Sequence, residues 1–149
     1  MAYYVPSNTY VKAYVIIPGM RTKETDLSVF FKALADRTRL RLINLIDDRE
    51  VCVCFFVELI GTHQPKISRH LAYLRRAGIV TARRDGKWMH YRIAEPANPD
   101  AREILHRVRD WLRNEPSMQK ERKRLENICC GTPAPKHLRQ APVPIASNQ

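Results

Sequence analysis

Two pairs of cysteines, Cys52-x-Cys54 and the adjacent Cys129-Cys130, are the residues here whose type and spacing can do chemistry. An even cysteine count in a small secreted protein points to a disulfide framework. Here the apolar run 11–17 is interrupted by Lys12 and has no cationic segment before it. It reads as neither a signal peptide nor a membrane span, and the expectation is a cytoplasmic chain with reduced thiols for metal or redox work. Neither pair has the spacing of a structural zinc site, in which about two to four residues separate paired ligands. An isolated cysteine is often just a small buried hydrophobe. A Cys-x-Cys at this place, ahead of a turn and a basic helix, argues instead for ligation.

That helix carries the second chemistry. From Pro65, with its missing N–H in the first turn, Ile67, Leu71 and Leu74 form one apolar face. Gln64, Lys66, Ser68, Arg69 and His70 lie on the other faces and supply donors for base edges and phosphates. Arg69 is the candidate for a guanine, with Lys66 and Ser68 on phosphate. A polar face of this kind is usually just solvated, but Arg83, Arg84 and Lys87 follow closely on a predicted hairpin and add cations beside it. The net charge of +11, from 26 Lys and Arg against 15 Asp and Glu, also points to an anionic partner such as nucleic acid.

The positioning elements follow from periodicity. Leu27, Phe30, Phe31 and Leu34 make an amphipathic helix, and Asp36 caps a second over 35–46, where Leu40, Ile43 and Ile46 share a side. The run 51–60 suits a strand or a buried helix by pattern, and its context selects helix. Gly61 supplies a left-handed C-terminal residue and Thr62 a cap for the next helix, which is the helix-turn-helix layout. Residues 79–82 and 87–93 are β-rich, with the turn signal Asp85-Gly86 between them, so a wing follows the second helix. Ile104, Leu105, Val108, Trp111 and Leu112 make a stripe too heavy for a surface helix over 100–113. With the first helix it can form a dimer seam. A last helix from Ser117 carries Met118, Leu125 and Ile128 on one side and brings Cys129 near it. Residues 1–19 form a nearly uncharged extension, with Met20 as an alternative start. The domain runs over 20–115, the cysteine-ending helix over 116–130, and residues 131–149 read as a disordered tail.

The ordered set Cys52-Val-Cys, Gln64-Pro-Lys-Ile-Ser-Arg-His-Leu, Leu74-Arg-Arg-Ala-Gly-Ile-Val and Gly86-Lys-Trp-Met-His-Tyr-Arg resembles the ArsR/SmtB family of metalloregulatory repressors, especially its arsenic-responsive members. The resemblance covers about 27–112. It implies a mainly α winged-helix homodimer, not an enzyme and with no organic cofactor, that occupies double-stranded operator DNA. Binding of As(III) or Sb(III) as inducer would release it. Where the best-known arsenic pattern has a third cysteine, this chain has Val57. The resemblance therefore supplies Cys52 and Cys54 as two ligands of a three-thiolate site, and Cys129 or Cys130 is expected to complete it.

Soft trivalent centres prefer thiolates. Two residues at i and i+2 of a helix point about 200° apart, so Cys52 and Cys54 on one helix share a ligand only if its first turn is unwound. The histidines His63, His70, His90 and His106 are expected at the surface or near bases rather than as ligands. Cadmium, lead or a methylated arsenical are alternative inducers, and a thiol redox switch is an alternative mechanism.

Overall fold

The structure is a computed structural model that describes residues 25–130 and 134–147, without the side chain of Cys130. The extension 1–19 and the alternative start at Met20 lie outside the described residues. The described chain runs α1 (Leu27–Leu34), α2 (Arg37–Ile46), β1 (Arg49–Cys52), α3 (Val53–Ile60), α4 (Gln64–Arg76), β2 (Val80–Asp85), β3 (Trp88–Ile93), α5 (Pro99–Asn114) and α6 (Pro116–Cys130). A short 3-10 turn (Lys136–Leu138) and β4 (Ile145–Ala146) follow. Helix α3, a turn, helix α4 and the β2–β3 wing make a winged helix-turn-helix.

Local chemistry sets the boundaries. Asp36 accepts a hydrogen bond from the Arg39 amide at 2.9 Å and so starts α2. Gly61 ends α3 at φ 72°, ψ 38°, a conformation that costs a residue with a Cβ. The start of α4 differs from the sequence reading: its cap is His63, whose side chain makes no capping bond, and Thr62 is not the cap. The wing turns through Gly86 and Lys87, with Asp85 paired to Trp88 across it.

Two larger departures concern the sheet. Residues 51–60 are not one helix, because β1 takes the chain as far as Cys52 before α3 begins. β1 pairs antiparallel with β3, so the wing is the outer half of a sheet of order β2-β3-β1-β4. The tail reading also fails over 134–147. Leu138 and Ala141 are buried, His137 meets Glu58 of α3 at 3.0 Å, and β4 pairs with β1. An open edge on β1 and two small apolar contacts reward ordering that a Pro-rich composition alone does not reveal.

The core gathers Phe30, Leu42, Ile43, Leu45, Ile46, Phe56, Ile67, Leu71, Leu74, Ile79, Leu105 and Leu125. Helix α2 is its centre and packs against α1, α3, α4, α5 and α6. At its C-terminal end Asp47 is buried at a positive φ of 35°. Its carboxylate and carbonyl receive Arg109, its carboxylate also receives Arg113 at 2.8 and 2.9 Å, and Arg122 reaches it at 3.0 Å. One carboxylate thereby joins α2 to α5 and α6. Burial pushes its pKa up, but Arg113 and Arg109 outweigh that and hold it below the ordinary carboxylate value.

A depressed folded-state pKa contributes stability that is fully present above the unfolded pKa and is lost as pH falls through the folded one. Asp47→Asn, which tolerates the positive φ, is expected to cost about 3 kcal/mol at neutral pH, as for removing one partner of a buried pair. Urea unfolding at neutral pH and at acid pH checks this: the difference between parent and variant should shrink in acid.

Candidate thiol site and nucleic-acid interface

Cys52 closes β1 and caps α3 with extended geometry, φ −71° and ψ 142°, while Cys54 sits in the first turn of α3. The angular conflict expected of two cysteines on one helix therefore does not arise, since only one of them is helical. The Cys54 thiol donates to the Cys52 sulfur at 2.9 Å. Cys52 is fully buried and Cys54 partly so.

Once Cys52 ionises, the pair shares one proton. Hydrogen bonding from Cys54 lowers the Cys52 pKa to about 7 against the opposing effect of burial, helped by the amides of Cys54, Met89 and Val53. The same contact raises Cys54, because its proton is held by a neighbouring thiolate. The N-terminal end of α3 also favours negative charge at this place.

Cys129 is partly buried against the same core as Cys54, near the C-terminal end of α6, and α6 packs on α3. It lies within electrostatic range of Arg49 on β1, which also bonds Glu126 at 2.8 Å. Among the described residues no three His, Cys, Asp or Glu side chains converge as a metal-holding group. What the structure brings together is the Cys52–Cys54 pair, with α6 and the 134–147 segment on neighbouring elements.

On α4, Gln64, Lys66 and Arg69 are exposed, and Ser68 is partly so. His70 is drawn back, its Nδ1 3.6 Å from Asp36, and burial lowers its pKa. Tyr73 lies under the Arg39 guanidinium at 4.8 Å, which also bonds the last carbonyls of α1. On the wing, Arg84 and Lys87 are exposed. Arg84 donates to the Gly86 carbonyl, and the Lys87 ammonium sits 4.8 Å over the Trp88 ring. Arg83 is held by Glu50 of β1 at 3.1 and 2.5 Å. His90 departs from its expected surface position: it is buried, and its Nε2 has no hydrogen-bond partner. Reading 49–52 as a strand would have put Glu50 and Cys52 on one face, though not named the partners that β3 and β2 bring to it.

Residues 36–82 match the model of the bacterial regulatory protein arsR family. An uncharacterised HTH-type transcriptional regulator of Mycobacterium tuberculosis (strain H37Rv) is 40% identical over 84 residues, which are 53% of this chain and 74% of that protein. The chain belongs to the arsR family. A crystal structure of the mycobacterial regulator matches 57% of this chain and 83% of its own at TM-score 0.47 and 40% identity. Two further relatives are named as resistance-operon repressors. The arsenical resistance operon repressor of Escherichia coli (strain K12) is 49% identical over 65 residues, covering 43% of this chain and 56% of that one. A probable mercury resistance operon repressor of Streptomyces lividans is 45% identical over 71 residues, covering 48% and 57%. The chain thus spans little more than half the length of these two relatives.

The shared proton makes a measurable prediction. Ultraviolet thiolate absorbance should show a step near pH 7, the value Cys52 is lowered to, and Cys54→Ser as well as Cys52→Ser should weaken that step, since the low value belongs to the pair. A step unchanged in Cys54→Ser would show that the thiols titrate independently.

Proposed function

We propose that this chain is a homodimeric, DNA-binding transcriptional repressor of a resistance operon, released from its operator when As(III) or Sb(III) binds cysteine thiolates. The observation that carries the reading is the contact between Cys52 and Cys54 at the start of the helix that supports α4. The donor set fits a soft thiophilic centre: two sulfurs already meet, and only one proton remains between them once Cys52 ionises. Cys129 or Cys130 supplies the third thiolate in this reading, brought by α6 to the β1–α3 side of the domain. The E. coli relative favours a metalloid over other soft ions, while the Streptomyces relative keeps mercury in view beside cadmium and lead.

DNA binding is assigned to α4 and the wing. Gln64, Lys66, Ser68 and Arg69 enter the major groove, and Arg84 and Lys87 approach the flanking phosphates, with Arg83 and His70 at the edges of that surface. Dimer formation is assigned to α1 and α5. Leu27, Phe31 and Trp111 are exposed, the last at 75%. Leu34, Leu40, Val108, Trp111, Leu112 and Met118 line a groove of about 370 Å³ beside them. An apolar face of this kind is costly to leave in water, and a second copy covering it would present two recognition helices to a palindromic site.

Sodium arsenite is expected to reduce operator affinity on the order of 150-fold, equivalent to about 3 kcal/mol of coupling, and operator should weaken arsenite binding by the same factor. Replacing Cys52 and Cys54 by Ser should preserve DNA binding and abolish release, measured by fluorescence anisotropy of a labelled operator. Unchanged affinity at saturating arsenite sinks the metalloid reading, and release by peroxide in chelator-treated buffer would replace it with a redox switch. Trp111→Asp should shift the chain to monomer in analytical ultracentrifugation and weaken operator binding.

A further inference from the structure

The pairing of the sheet places the thiol strand and the wing in one row. Cys52 lies opposite His90, and His90 lies opposite Arg83, so the three share a face across β1, β3 and β2. Glu50 is two residues before Cys52 and therefore on that same face. Its carboxylate accepts both hydrogen bonds from Arg83 and stands 3.8 Å from His90 Nδ1. The Glu50 side chain is only 12% exposed, whereas Arg83, which also meets Asp85 at 3.5 Å, is 52% exposed. A mostly covered carboxylate on the sensing strand thus holds an exposed arginine of the wing.

We propose that Glu50 is a positioning residue that transmits the state of the Cys52–Cys54 pair to the wing by holding Arg83 across the sheet. The inference rests on the reading of the thiol pair as the ligand site. A ligand that draws Cys52 toward Cys54 and the end of α6 must move the last residue of β1. Glu50 is two residues away on a strand paired on both edges, with β3 through Val51 and Cys52 and with β4 through Arg49 and Glu50. The strand moves as a unit under those bonds, and the carboxylate takes Arg83 with it. The buried His90 lies between Cys52 and Arg83 in the row and packs beside the covered Glu50 carboxylate, while the Arg83 end of the link stays open to solvent.

The test uses the full chain labelled with fluorotryptophan, with sodium arsenite as the probe. Trp88 sits on the wing, across from Asp85, and its fluorine resonance is assigned by its loss in Trp88→Phe. Arsenite uptake is followed separately by ultraviolet thiolate-to-arsenic absorbance. In the parent the Trp88 resonance should shift in step with arsenite bound. In Glu50→Gln uptake should persist while the shift is lost. Arg83→Gln, at an exposed position that leaves the core intact, should lose it equally, and the double variant should lose no more than either single one. A full Trp88 shift in arsenite-bound Glu50→Gln, or no shift in the arsenite-bound parent, overturns the coupling while leaving the thiol site standing. A parent that takes up no arsenite overturns the metalloid reading and this inference with it.

Discussion

The change of backbone at Cys52, from the extended run of β1 into the first turn of α3, is the constraint on which the rest of the site depends. A strand residue and a helix residue two positions later can converge where two helix residues cannot, and this junction lets the Cys52 and Cys54 sulfurs meet. The same junction makes Cys52 a member of the sheet. A small residue at the start of the helix that packs on α4 is thereby paired with the wing.

Around this junction the fold builds a frame that resists independent motion. Asp47 gathers Arg109, Arg113 and Arg122 at the end of α2, Arg41 meets Glu121, and Asn44 donates to the Met118 carbonyl. These contacts fix the first half of α6 to the centre of the core. Its far half, carrying Cys129, reaches the β1–α3 side and is succeeded by a segment that adds β4 to β1. A carboxylate buried among three guanidinium groups is costly to leave unpaired, so α6 is held in register rather than merely packed. The exposed apolar side chains Leu27 and Phe31 on α1 and Trp111 on α5 take no part in these polar contacts.

Much of the fold was legible from local pattern. The caps at Asp36 and Gly61, the apolar faces of α4 and α5, and a hairpin turn at Gly86 each report a local preference that tertiary context did not override. The turn itself falls on Gly86 and Lys87, with Asp85 still in β2. The misreadings occurred where local preference was silent. Residues 49–52 are too few for periodicity to separate strand from helix, and their identity is decided by pairing with β3, distant in sequence. The 134–147 segment has the composition of a tail, yet a free strand edge and buried places for Leu138 and Ala141 order it.

The chain alone determined the chemistry available: two thiol pairs, a basic helix with a wing, and the ordered motifs shared with the arsR family. Residue type and spacing suffice for that, because they set which donors exist and which face of a helix they share. Tertiary structure decided what those donors meet. It set Cys54 against Cys52, His90 beneath the surface, and Arg83 on Glu50 instead of in open solvent. The first follows from where β1 gives way to α3 and the other two from strand register, and both depend on contacts between segments that no local spacing encodes.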